Sequence, residues 1–144
     1  MIDHIVLYGE PRGKERPRVA NGHAYTPQKT REYEEAMRLA YVASVKSAPH
    51  ERGVPLKLTL YCEYPIPKSD SKKKHGEKAN GTIKPTIKPD LSNVLKAVED
   101  ALNGVAYFDD SQITKIVAIK RYGDSPRVET RIEVDNEQDN QNGC

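Results

Sequence analysis

The sequence predicts a single α+β domain, with about four strands in a mixed or antiparallel sheet and two main helices. Three observations carry this prediction. The chain has 144 residues, about the size of one domain. Leu56, Leu58, Leu60 and Cys62 alternate with Lys57, Thr59, Tyr61 and Glu63, the period of a strand with one buried face. Leu91, Val94, Leu95, Val98 and Leu102 recur at helical spacing and mark a helix buried along one stripe.

The remaining elements follow in order. Residues 2 to 8 are apolar and β-branched enough for a first strand, which Gly9-Glu10-Pro11 stops. Asn21-Gly22 supplies the pair of positive-φ residues that a type I′ turn needs, so a small basic hairpin is expected around it. Thr26-Pro27 or Thr30 can cap a helix over about residues 28 to 47, in which Tyr33, Met37, Ala40, Tyr41 and Ser44 share a face. Residues 65 to 89 hold four prolines, many lysines and little apolar periodicity, and are expected to form a long basic mobile loop. The Leu91 helix should end at Asn103-Gly104, with Asn93, Lys96 and Asp100 on its polar side. Residues 113 to 121 and the alternating Val128, Thr130, Ile132 and Val134 are expected to be two antiparallel strands that close the fold. The domain is expected to span residues 1 to 135, and the polar, acidic residues 136 to 144 to be disordered.

Charge is segregated although the formal net charge is only +2. Between Glu10 and Arg31 stand six basic residues, Arg12, Lys14, Arg16, Arg18, Lys29 and Arg31, against two acidic ones. Between Lys68 and Lys88 there are seven lysines against Asp70 and Glu77. Such segments are either solvated surface or a footprint for a polyanion, whose counterions are released on binding. Two of them in one small domain favour nucleic acid.

Several function classes find no support. No apolar run is long enough to span a bilayer and no signal peptide opens the chain, so a soluble protein is expected. Cys62 and Cys144 make no CxxC pair, which excludes a zinc finger and a disulfide scaffold. His4, His23, His50 and His75 have no metal-ligand spacing, and no GxSxG, GxxxxGK[ST] or GxGxxG is present, so no nucleotide cofactor is expected. What remains is Asp90 at the start of the second main helix and Asp109-Asp110 after it. These carboxylates face one another if the chain doubles back through Gly104, and hard oxygen donors beside basic segments suit Mg²⁺ and phosphodiester chemistry. They also have structural readings, Asp90 as a helix N-cap and Asp109-Asp110 as turn residues.

The run Lys88-Pro89-Asp90-Leu91-Ser92-Asn93-Val94-Leu95-Lys96-Ala97, continued by Asp100-Ala101-Leu102-Asn103-Gly104 and Asp109-Asp110-Ser111-Gln112-Ile113, resembles the RusA family of Holliday-junction resolvases in its phage and prophage form. The similarity extends to Gly9-Glu10-Pro11-Arg12, Arg16-Pro17-Arg18, Ala24-Tyr25-Thr26-Pro27, Tyr122-Gly123 and Pro126-Arg127-Val128-Glu129. The resemblance implies a RusA-like homodimer in the cytoplasm of a bacterial or phage-infected cell. It implies nicking of four-way junction DNA on two strands with Mg²⁺, or Mn²⁺ in its place, during recombination and repair. Carried over by position, Asp90 and Asp110 would be catalytic carboxylates and metal ligands with Asp109 beside them, and Lys96 the catalytic lysine. Ser92 stands where the family motif has a second aspartate, a departure that removes one negative ligand.

On this reading Arg12, Lys14, Arg16, Arg18, Lys72, Lys73 and Lys74 track the junction arms, and two symmetric nicks call for a C₂ dimer. The alternative is a junction-binding protein that cleaves weakly or not at all because of Ser92. An RNA-binding module is less well supported, since the chain has one Phe and no RRM aromatic signature.

Overall fold

A computed structural model describes residues 2 to 138. Four strands form one sheet in the order β1-β6-β4-β5: β1 (Asp3–Tyr8), β4 (Leu56–Pro65), β5 (Ile113–Gly123) and β6 (Arg127–Val134). β1 and β4 both run antiparallel to β6, and β5 runs parallel to β4, so the sheet is mixed. The short strands β2 (Arg18–Ala20) and β3 (His23–Tyr25) form a separate exposed hairpin. Its turn has positive φ at both Asn21 and Gly22, as the Asn-Gly pair predicts.

The alternation in β4 is the backbone of the core. Leu56, Leu58, Leu60 and Cys62 are fully buried, and they pack with Met37 and Tyr41 of α1 (Gln28–Ser44) and Val94, Val98 and Leu102 of α3 (Leu91–Leu102). Burial pushes the Cys62 thiol up to about 12, the environment of a packing residue rather than a nucleophile. α3 ends as expected, with Asn103 at its C-terminus and Gly104 at φ +84°.

Three expectations need correction. The basic segment after β4 is not all loop, because α2 (Lys72–Ala79) forms within it. Ser71 caps this helix by accepting the Lys74 N–H, and Lys78 is buried with its ammonium 2.6 Å from Asp70 and 4.7 Å above the Tyr122 ring. An ion pair and a cation–π contact hold α2 down where an apolar stripe is missing, so a search for hydrophobic period passes over it. β5 and β6 run antiparallel as expected but are not neighbours, because β4 lies between them. The Asp124–Pro126 link therefore crosses the end of β4, where Glu63 accepts the Ser125 N–H at 2.7 Å and pairs with Arg127 at 2.9 Å. A Cβ on Gly123 would stand 2.2 Å from the Glu63 carboxyl, so a larger residue there would push that carboxyl from its place at the crossing.

α1 stops at Ser44 and has no side-chain cap: Pro27 holds the N-cap position, and the Thr30 hydroxyl accepts the Glu15 N–H instead. Residues 135 to 138 are still placed, with Glu137 paired to Lys57 and Lys115, and the rest of the expected tail lies outside the described residues.

Candidate nucleic-acid cleft and carboxylates

The segment of residues 11 to 18 lies as an arm along the polar side of α3. Lys14 N–H donates to the Asn93 carbonyl at 3.0 Å, and Gly13 is so close that a Cβ there would be 2.9 Å from the Asn93 Cβ and 3.0 Å from that of Pro89. From the other side, the Tyr64 hydroxyl of β4 donates to the Pro89 carbonyl. The start of α3 is thus gripped between arm and sheet.

The grip encloses an open cleft of about 630 Å³ beside Asp90, with Arg12, Lys29, Lys88 and Asn93 on its walls. Asp90 occupies the N-cap position of α3, but its carboxylate makes no capping hydrogen bond. The structural reading of this residue therefore holds for its backbone and not for its side chain. On the far side of Leu91 a second cleft is lined by Lys84, Lys120 and Arg121, which continues the basic surface. Lys120 is partly engaged there, donating to the Ile87 carbonyl at 2.6 Å with its ammonium 4.8 Å above the Tyr64 ring.

Among the residues expected to meet DNA, Arg12, Arg16, Arg18, Lys72, Lys73 and Lys74 are exposed. Lys14 is not free: its ammonium sits 2.5 Å from Glu34 and 3.1 Å from Asp100. Partial burial would lower its pKa, but hydrogen bonds and charge from Glu34 and Asp100 outweigh that and raise it. Lys14 is thus a cross-link between the arm, α1 and α3. Lys29 and Lys88, which line the Asp90 cleft, were not expected among the contact residues, although both lie within the two basic runs.

Lys96 is exposed on the row of α3 that carries Asn93 and Asp100, and its Nζ is 3.3 Å from Asp100 Oδ1. Ser92 is exposed in the first turn.

The two late aspartates divide their roles. Asp109 caps the short 3₁₀ turn Asp110–Gln112: its carboxylate accepts both the N–H and the hydroxyl of Ser111, while Gln112 returns to the Asp109 N–H. The Ser111 hydroxyl bond, followed by its backbone bond, holds the Asp109 carboxyl below its ordinary pKa. The turn reading of this residue thus has direct support. The charge of Asp110 instead acts on Glu99, nine residues beyond Asp90 and about 14 Å further along the helix axis. Burial first, and then the charge of Asp110, raise the pKa of Glu99. Tyr107 is fully buried and donates to the Glu99 carbonyl at 2.8 Å, which ties the returning chain to this level of α3.

Among the described residues no three His, Cys, Asp or Glu side chains gather as a metal-binding group. The donor chemistry still fits a hard cation, because the Asp90 carboxylate is an oxygen donor left without a capping hydrogen bond beside the cleft. Glu99 was missed from the sequence. Its only signal is its place one residue before Asp100 on the rim of the helix.

A family model described as Endodeoxyribonuclease RusA matches residues 8 to 133. The chain is also 38% identical over 137 residues to a protein of Bacillus subtilis (strain 168) that bears the description Uncharacterized protein YqaN, with 89% of this chain and 93% of that protein covered. No helix among the described residues is long and apolar enough to cross a membrane.

Proposed function

The chain belongs to the RusA family of endodeoxyribonucleases, and on that footing we propose that it is a divalent-metal-dependent endonuclease that resolves four-way DNA junctions by paired nicks. The observation that carries this reading is the Asp90 cleft, where one uncapped carboxylate stands among Arg12, Lys29 and Lys88. Cations on the walls attract the phosphodiester backbone without regard to sequence, and the carboxylate gives the site a place for a hard metal.

Asp90 would hold Mg²⁺ or Mn²⁺ in the cleft with water completing its shell, and Asp110, with Glu99, would offer a second carboxylate position about 14 Å further along α3. Asp109 supports the turn that presents Asp110. A bound divalent ion supplies positive charge against the phosphate oxygens and acidifies water. The chain's own residues do the rest. Arg12, Lys29 and Lys88 orient the strand, and Lys96 offsets charge on phosphate as water attacks in line and one P–O bond breaks. Asn93, between Asp90 and Lys96 on the same row, offers an amide to the same strand. Two opposed nicks need two such sites, and a C₂ homodimer supplies them. Sedimentation should therefore give twice the 16.2 kDa chain mass.

Ser92 favours a second reading, a junction binder with a weakened metal site, since a neutral hydroxyl replaces a charged oxygen donor. The deciding experiment incubates a labelled four-way junction with the protein and its Ser92→Asp variant, with and without Mg²⁺. The expected result is metal-dependent nicking of opposing strands by the natural sequence, faster in Ser92→Asp. Binding without nicking, restored by Ser92→Asp, would establish the second reading. Lys96→Ala should keep junction affinity and lose about 10²- to 10³-fold in nicking rate, the usual effect of removing one preorganised charge-stabilising group.

A further inference from the structure

Asp100 stands where the arm, α1 and α3 meet. Its Oδ1 is 3.3 Å from Lys96 Nζ, one turn back on α3, and its Oδ2 is 3.1 Å from Lys14 Nζ on the arm. Lys14 also reaches Glu34 of α1 at 2.5 Å. Lys14, Glu34 and Asp100 are 15 to 23% exposed at their side chains, whereas Lys96 is 56% exposed. An isolated pair on open surface contributes little, but a half-buried carboxylate shared by two ammoniums restricts both of them.

We propose that Asp100 is a positioning residue that couples two parts of the cleft: one oxygen anchors the basic arm through Lys14, and the other aims Lys96 at the bound phosphate. This rests on the reading of Lys96 given above. The four groups Glu34, Lys14, Asp100 and Lys96 balance in charge, so the network adds no net attraction for DNA; its effect is geometric. The backbone bond from Lys14 to Asn93 and the close approach of Gly13 hold the arm in register with the same row of α3. Arm position and lysine orientation are therefore set together. Displacements of about 1 Å at such a group cost up to about 10²-fold in rate.

The test uses the full-length protein with Asp100→Asn, Asp100→Glu, Lys14→Met, Lys96→Met and the Lys96→Met/Asp100→Asn double variant. At saturating junction, Asp100→Asn should nick at least about tenfold more slowly, a loss in turnover beyond any change in affinity. Asp100→Glu should recover part of the rate. The double variant should lose less than the product of the two single losses, because both changes act on the same lysine. Two readouts are independent of activity. Acetylation of the Lys96 amine by an amine-reactive reagent, followed by mass spectrometry, should speed up in Asp100→Asn. Tryptic cleavage after Arg12 and Arg18 should speed up in both Asp100→Asn and Lys14→Met.

Unchanged Lys96 acetylation and unchanged arm cleavage in Asp100→Asn would overturn the proposal, as would additive losses in the double variant. If the natural protein does not nick at all, the nuclease reading fails, and the acetylation and cleavage rates still decide whether Asp100 couples arm and lysine.

Discussion

The Tyr107 hydroxyl donates to the Glu99 carbonyl at 2.8 Å, joining the last third of α3 to the chain that returns towards β5. Burial, and after it the charge of Asp110, raises the Glu99 carboxyl above its ordinary pKa. A native carboxyl that holds its proton more tightly than the unfolded chain's stabilises at low pH, and that contribution is lost as pH rises through the native value.

Glu99→Gln is therefore expected to raise the melting temperature slightly at neutral pH in EDTA, by a degree or two for a few tenths of a kcal/mol. In added Mg²⁺ the gain should shrink, because a cation near Asp110 offsets the same charge. Thermal melts of both proteins with EDTA and with Mg²⁺ make the check. A Glu99→Gln variant that melts lower in EDTA would contradict this cost of ionising Glu99.

Gly13→Ala should loosen the arm. The added Cβ would meet the Cβ atoms of Asn93 and Pro89 at 2.9 and 3.0 Å, so arm or helix must move. A cost of about 1 to 3 kcal/mol in stability is expected for such crowding. Because the shift opens the cleft that holds Arg12 beside Asp90, junction affinity should fall as well. Denaturant unfolding and a gel-shift titration measure the two effects.

The exposed lysines of α2 should act through charge alone. Replacing Lys72, Lys73 and Lys74 together by Gln leaves the buried Lys78–Asp70 pair that holds the helix. The melting temperature should stay within about 2 °C of the natural protein, as for most surface substitutions. The slope of log affinity against log salt should become shallower by about 0.9 for each phosphate that is no longer neutralised. A slope identical to that of the natural protein would remove α2 from the DNA path.

Five tyrosines set the alkaline limit of the fold. Burial raises Tyr33 and Tyr61 to about 12, and raises Tyr41, Tyr64 and Tyr107 further. The native state thus keeps these protons where the unfolded chain, titrating near 10, has lost them. Stability from this source is complete below about pH 10 and declines as pH rises through the native values. Phenolate absorbance should lag behind free tyrosine above pH 10, and its final rise should coincide with loss of the circular dichroism signal.

Much of the fold was legible because its signals are local. The two-residue period of β4, the helical stripe of α3 and the Asn21-Gly22 turn each depend on neighbours a few residues apart. The same holds for Asp109, whose role as a cap is written in Asp109-Asp110-Ser111-Gln112. The motif around Asp90 and Lys96 was equally visible, and it led to the family that the chain belongs to. What the sequence left open is every relationship between residues far apart in the chain. The place of β4 between β5 and β6 follows from burying its apolar face at the centre of the sheet, and the Glu63 carboxylate then holds the crossing strand link. α2 exists because Lys78 finds Asp70 and Tyr122 under it. Lys14 reads as a free cation in a basic run, yet it meets Glu34 and Asp100 only when the arm folds onto two helices. Composition and periodicity determined which segments are strands and helices and where charge concentrates. Only tertiary packing decided which of those charges stay exposed and which face one another, because pairing depends on distances that the order of residues does not contain.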